Sequence, residues 1–266
     1  MAALAASLAQ IRKHIDEGNK SFDRGDFRDS KSHFSKAIAA LDKTAPGGLD
    51  VLRADAYNGM GHTLRSLGEF DRSLDFQKRA LSLYRQISRH YESQFRPKLA
   101  KALHFTADVL YDVGKKNESL AHYREELGIA RKLYAENSKK HLKIMVYALN
   151  GTAIRLADTK GDFRGALAYI NESLRLQRVA FRTSKEERKN YPNMSWSHNI
   201  KGITLLKKGD ADGAIKELEA ALEMRRIIAR QNPRYTAALA GTLSWLSEAY
   251  CAKAEGRHSK LLRRVS

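Results

Sequence analysis

The chain has 266 residues, with 48 lysines and arginines against 30 aspartates and glutamates, for a formal net charge of +18. It holds 4 prolines, 17 glycines and one cysteine, Cys251. This excludes collagen-like and long low-complexity segments, an internal disulfide and a metal site of clustered thiolates, and no apolar run approaches the roughly 20 residues that span a bilayer.

The first stretch, MAALAASLAQIRKHIDEG, has no acid before Asp16 and carries a basic pair, Arg12 and Lys13. Those are features of a mitochondrial presequence. The stretch also runs without a break into helical periodicity. It is read here as an ordinary first helix, in a protein of the reducing cytoplasm.

From there one pattern recurs along the chain. Glycines stand at Gly25, Gly68, Gly114, Gly161, Gly209 and Gly256, spaced by 43, 46, 47, 48 and 47 residues. Five residues after the first five come Ser30, Ser73, Ser119, Ala166 and Ala214. Seven residues before the turn come Gly18, Gly61, Ala107, Gly202 and Ala249, with Ala153 one residue out of register in the fourth unit. Two helices pack closely only where the facing side chains are small. Larger apolar residues at spacings of three, four and seven give each helix one stripe. Leu64, Leu103, Leu110, Leu149 and Leu156 do so in first helices, and Phe34, Phe70, Tyr123 and Leu218 in second helices. The turns read GDF, GEF, GKK, GDF and GDA. Glycine takes the left-handed backbone that ends a helix. Asp26, Asp162 and Asp210 then stand where a carboxylate caps the next one.

The units so defined are about 3–44, 50–93, 96–137, 139–186 and 194–231, with a half unit at 235–256 and a basic tail at 257–266. Small residues at these offsets, an aromatic soon after the turn glycine (Phe27, Phe70, Phe163) and Trp245 in the last helix resemble the tetratricopeptide repeat. The usual unit is 34 residues, and this longer form is similar to the repeats of kinesin light chains and of the cell-polarity adaptors that link cortical proteins to spindle motors. The resemblance implies an all-α fold. It is a right-handed superhelical solenoid of antiparallel helix pairs, about five and a half units forming one domain over 1–256. Its concave face is lined by the first helices.

Catalytic signatures are missing. There is no Gly-rich phosphate loop, no dinucleotide fingerprint and no HExxH. The nine histidines are scattered, and Cys251, between Tyr250 and Ala252, reads as a buried small residue. The expectation is a non-catalytic protein with neither cofactor nor metal.

Positions about ten, six and three residues before each turn glycine are left free by the packing stripe. They hold Ile15, Asn19 and Phe22, then Asn58, His62 and Arg65, then His104, Asp108 and Tyr111. The fourth unit, shifted by one, gives Asn150, and the fifth gives Asn199. Asn58, Asn150 and Asn199 occupy one equivalent position. An amide donates and accepts at once, so a row of them suits the main chain of an extended peptide. Kinesin-light-chain-like repeats use a similar row, which the resemblance carries to this chain. The alternative is that each asparagine fills a polar gap between units. The expected peptide-binding set is Asn19, Asn58, His62, Arg65, His104, Tyr111, Asn150 and Asn199. The chaperone-tail carboxylate clamp of some relatives is not implied. Asn19 matches it, but Ile15, Gly59 and Phe105 stand where its lysine, asparagine and arginine would be.

Cations cluster where each second helix ends and the next unit begins. Among them are Arg89, Lys98, Lys139, Lys140, Lys143, Arg188, Arg226 and Arg230. Helix C-termini attract a cation or two; four or five per junction exceed that. The expected partner is a protein offering an extended acidic peptide or an acidic surface. The alternative is a large acidic assembly, a microtubule lattice or a ribonucleoprotein, with direct RNA contact and a steep salt dependence. Few aromatics interleave with these clusters, as single-strand binding would need, and that favours the protein.

Overall fold

The computed structural model describes residues 2–44, 48–183, 191–232 and 235–265, apart from the side chains of 2–5, 92–93, 183, 191 and 257–265. The described elements are eleven helices: α1 (Ala2–Arg24), α2 (Phe27–Asp42), α3 (Asp50–Ser66), α4 (Phe70–His90), α5 (Glu92–Asp112), α6 (Lys116–Glu136), α7 (Ser138–Lys160), α8 (Phe163–Thr183), α9 (Tyr191–Lys207), α10 (Ala211–Gln231) and α11 (Thr236–Val265). They fall into two compact units, Met1–Glu136 and Asn137–Ser266.

In the first unit α1 packs on α2, α3 on α4 and α5 on α6, and each pair packs on the next. The pairs are antiparallel. Between α3 and α4, Ser73 Oγ donates to the Gly61 carbonyl at 2.6 Å, Gln77 Nε2 to the Asn58 carbonyl at 3.1 Å, and the Tyr84 hydroxyl to Asp55. These partners recede on either side of Gly68 as the two helices run apart from the turn. The five turn glycines, Gly25 to Gly209, take φ between +64° and +91°, a region closed to most side chains. Asp26, Asp162 and Asp210 cap the helices that follow, their Oδ1 atoms accepting from the N–H groups of Asp29, Gly165 and Gly213 at 3.1, 2.8 and 2.9 Å.

The small residues do what close approach demands. Ser30, Ser73 and Ser119 are fully buried and donate to the carbonyls of Gly18, Gly61 and Ala107 at 2.9, 2.6 and 2.6 Å. A Cβ on Gly59 would lie 2.2 Å from the ring of Phe34. Phe34 itself is fully buried, in a core with Ile11, Leu41 and Leu64.

In the second unit α7 packs on α8, α9 on α10, and α10 on α11. Gly161 closes α7 with its N–H on the Ala157 carbonyl. At Gly68, by contrast, the N–H reaches only three residues back, to Arg65. The extra helical residue accounts for the shifted register of the fourth unit. Four expectations are corrected. Gly256 makes no turn and lies inside α11, and the basic tail continues that helix to Val265. Cys251 is exposed, on the face of α11 turned away from its neighbours. Phe70, expected in the apolar stripe, is 40% exposed at the first turn of α4.

Candidate protein interaction surface

In the first unit the first helices α1, α3 and α5 lie side by side. Three rings stack across them. The His62 ring lies 4.2 Å from Phe22 and 4.1 Å from Phe105, centroid to centroid, with interplanar angles of 29° and 23°. Lys101 Nζ stands 5.5 Å from the centre of the Phe105 ring. Burial, then the charges of Lys101 and Arg65, push the His62 pKa down to about 3. Its imidazole is therefore neutral in the stack. Arg65 continues the same face toward α5, with Nη1 on Asp108 at 2.9 Å and Nε on Asp112 at 2.5 Å. The Tyr123 hydroxyl donates to the other oxygen of Asp108 at 2.5 Å. Lys116 Nζ sits 5.8 Å from the Tyr111 ring, and Asn19 is exposed. Asn19, His62, Arg65 and Tyr111 of the expected set thus keep some exposure.

The other four do not. Asn58, His104, Asn150 and Asn199 are all more than nine-tenths buried. The position ten residues before the turn faces the second helix and the next first helix, rather than solvent. His104 Nδ1 meets the Glu126 carboxylate at 3.1 Å. Burial opposes a charged imidazole there, but the Glu126 carboxylate outweighs it and pushes the His104 pKa up. Asn150 Nδ2 donates to Ser197 Oγ at 2.7 Å, the same hydroxyl that receives Gln177 Nε2 at 2.8 Å. Asn199 Oδ1 accepts from Arg225 Nη1 at 3.2 Å and from the Thr242 hydroxyl at 3.0 Å. Asn150 and Asn199 fill polar gaps and fasten helices together, and with Asn58 buried as well the three form no open row here.

The cations of the basic edge divide into two groups. Some staple neighbouring helices within a unit. Lys98 Nζ binds Asp55 at 2.6 Å and joins α5 to α3. Arg85 reaches Glu125 at 2.6 Å, and Arg96 reaches Glu136. In the second unit Lys207 binds Asp158 at 2.5 Å and Lys201 binds Glu217 at 2.6 Å. Burial raises the Glu217 pKa, but hydrogen bonds from His198 and Lys201 overcome it and bring the carboxyl down to about 2. The second group is exposed and enters no ion pair among the described residues: Arg89, Lys139, Lys140, Lys143, Arg226 and Arg230. Arg188 lies outside the described residues.

Sequence reasoning did not place Phe105 or Lys101 in this surface, nor Asp112. Phe105 stands nine residues before Gly114, one step from the stripe assigned to binding. Among the described residues no group of three or more His, Cys, Asp or Glu side chains could hold a metal ion. No described helix is long and apolar enough to cross a membrane.

Two segments, residues 21–86 and 197–227, match tetratricopeptide repeat families. No curated protein matches the chain. Solved structures match its fold. BtubC (BKLC) from P. vanneervenii is 15% identical, with 85% of this chain and 92% of that one covered and a TM-score of 0.59. The nearly identical TPR-like repeats of a kinesin-light-chain-type protein from Podosopora anserina are 13% identical over 83% and 96% of the two chains, with a TM-score of 0.60. A Rap protein complexed with competence and sporulation factor is 16% identical over 92% of this chain and 63% of that one, with a TM-score of 0.66.

Proposed function

We propose that the chain is a tetratricopeptide-repeat protein that works as a non-catalytic adaptor, and that its partner is a protein with an acidic peptide segment or acidic surface. One observation carries this reading. Many acids of the first unit are consumed inside it, as Asp55, Asp108, Asp112, Glu125, Glu126 and Glu136 are, and so are Asp158 and Glu217 in the second. Arg89, Lys139, Lys140, Lys143, Arg226 and Arg230 stay exposed and enter no ion pair among the described residues. A surface with one sign of charge left over steers an oppositely charged partner and selects against like-charged ones. The stacked helix pairs supply a preorganised surface, so little ordering cost is paid on binding.

In the first unit the row Asn19, His62, Arg65 and Tyr111 is offered as the contact strip on the first helices. A neutral His62 between two phenyl rings presents an apolar, rigid edge. Arg65, already neutralised by two carboxylates, contributes shape rather than net charge. The exposed cations supply the electrostatic attraction.

The second reading, a component of a microtubule-like or ribonucleoprotein assembly with direct RNA contact, draws on the same surplus charge. Affinity purification of the full chain from nuclease-treated and untreated extract separates the two. The adaptor reading predicts acidic proteins retained after nuclease treatment. Loss of all bound protein on nuclease treatment would contradict it.

A further inference from the structure

We propose that the partner's acidic segment docks on the outer side of the first unit, in a double groove centred on Arg89, and that this segment carries an apolar anchor residue. The proposal rests on the adaptor reading and adds a second contact region to the strip on the first helices. Two cavities flank the C-terminal half of α4. One, of about 330 Å³, lies between α4 and α6 above α5; the other, of about 740 Å³, lies where the end of α4 meets the starts of α3 and α5. Both are walled by Gln86 and Arg89, so they form one continuous surface around these two residues. Each falls in the size range of ligand sites.

The walls define the chemistry. On the α4–α6 side, Lys78 and Arg89 are exposed and enter no ion pair among the described residues. The acid of the opposite wall, Glu118, is paired with Lys115 at 3.3 Å, and Arg85 of the near wall with Glu125 at 2.6 Å. In the other cavity Asp50 faces Arg53 at 3.9 Å, so Lys78 and Arg89 are the charges left over. On the other side Tyr91 is 63% exposed, with its ring 6.3 Å from that of Phe95 in an edge-on arrangement. An exposed tyrosine beside an unpaired arginine is the combination that concentrates binding energy in protein interfaces. The exposed Gln86 amide between them can bond a peptide main chain in either direction. The fitting ligand therefore has carboxylates within reach of Lys78 and Arg89 and one apolar side chain for the Tyr91–Phe95 cavity. Two free cations match a short acidic peptide; a nucleic acid strand needs many more phosphates neutralised.

The test uses the full chain and a fluorescein-labelled peptide, EEEFEEE, in an anisotropy titration. Wild-type protein binds it; Arg89→Glu weakens binding at least tenfold, and Tyr91→Ala or removal of the phenylalanine from the peptide weakens it severalfold. Both substituted residues are exposed, and unchanged melting curves establish that the variants are folded. Absence of wild-type binding, or equal binding by Arg89→Glu, overturns the site. A labelled oligouridylate bound in its place, with Arg89→Glu abolishing that binding, also overturns it and assigns the groove to nucleic acid. If wild type and Arg89→Glu retain the same cellular protein after nuclease treatment, the site fails while the adaptor reading stands. If neither retains any protein, both fail.

Discussion

His62 sits between two phenyl rings and beside two cations, and its burial there disfavours the charged imidazole. Its native pKa, near 3, lies below its ordinary value of 6.5. The unfolded chain therefore takes up a proton as the pH falls through 6.5, and the native chain does not. Stability from this site is full above 6.5 and is lost as the pH falls toward 3. The groups around His62 are Lys101, Arg65, Asp108 and His104. His104 acts in the opposite sense: its pKa is raised, so its contribution is full below its ordinary value and is lost as the pH rises through the raised one. The difference between two proteins isolates His62. Replacement by phenylalanine keeps the stack and removes the titration. Urea unfolding at about pH 7.5 and pH 5 should show His62→Phe losing less stability on acidification than wild type. Equal losses would mean that the imidazole is not held neutral by the stack.

At the scale of helices, the fold rests on contacts that tolerate no extra atom. Gly59 of α3 is the sharpest case, with Phe34 of α2 within 2.2 Å of any added Cβ. Because Phe34 is fully buried, the ring has nowhere to go. Gly59→Ala should cost about 1–3 kcal/mol, the range for overpacking a core. Gly128, inside α6 with nothing within 4 Å of where an added Cβ would stand, makes the matched control; Gly128→Ala should gain about 0.5–1 kcal/mol. Chemical denaturation measures both, and a neutral Gly59→Ala would contradict the packing described. These contacts were legible in sequence because they join residues at fixed offsets from one turn: Ser30 to Gly18, Ser73 to Gly61 and Ser119 to Ala107 repeat a single geometry. The asparagine positions were not, although their recurrence was plain. Spacing identifies a helix face but not the neighbour that covers it. That neighbour comes from the next pair, such as Ser197, 47 residues from Asn150, or Thr242, 43 from Asn199. The angle at which the next pair packs decides which side chain is sealed, and periodicity within one helix carries no record of it.

For the molecule as a whole, sequence reveals the size of the charge imbalance but not its distribution. Lys98 and Arg89 look alike along the chain, yet one is bound to Asp55 across a helix pair and the other is exposed and unpaired. The same holds for Arg65, whose two carboxylates arrive 43 and 47 residues later. The central claim is that the cations left over after this internal pairing bind an acidic protein. The most direct measurement is the affinity of the purified full chain for the partner recovered after nuclease treatment, over a salt series. The exposed cations are screened within about 8–10 Å at physiological ionic strength. The affinity should therefore fall steadily as salt rises, with no comparable binding of oligouridylate. An affinity unchanged across the series, or one matched by the oligonucleotide, would contradict the account.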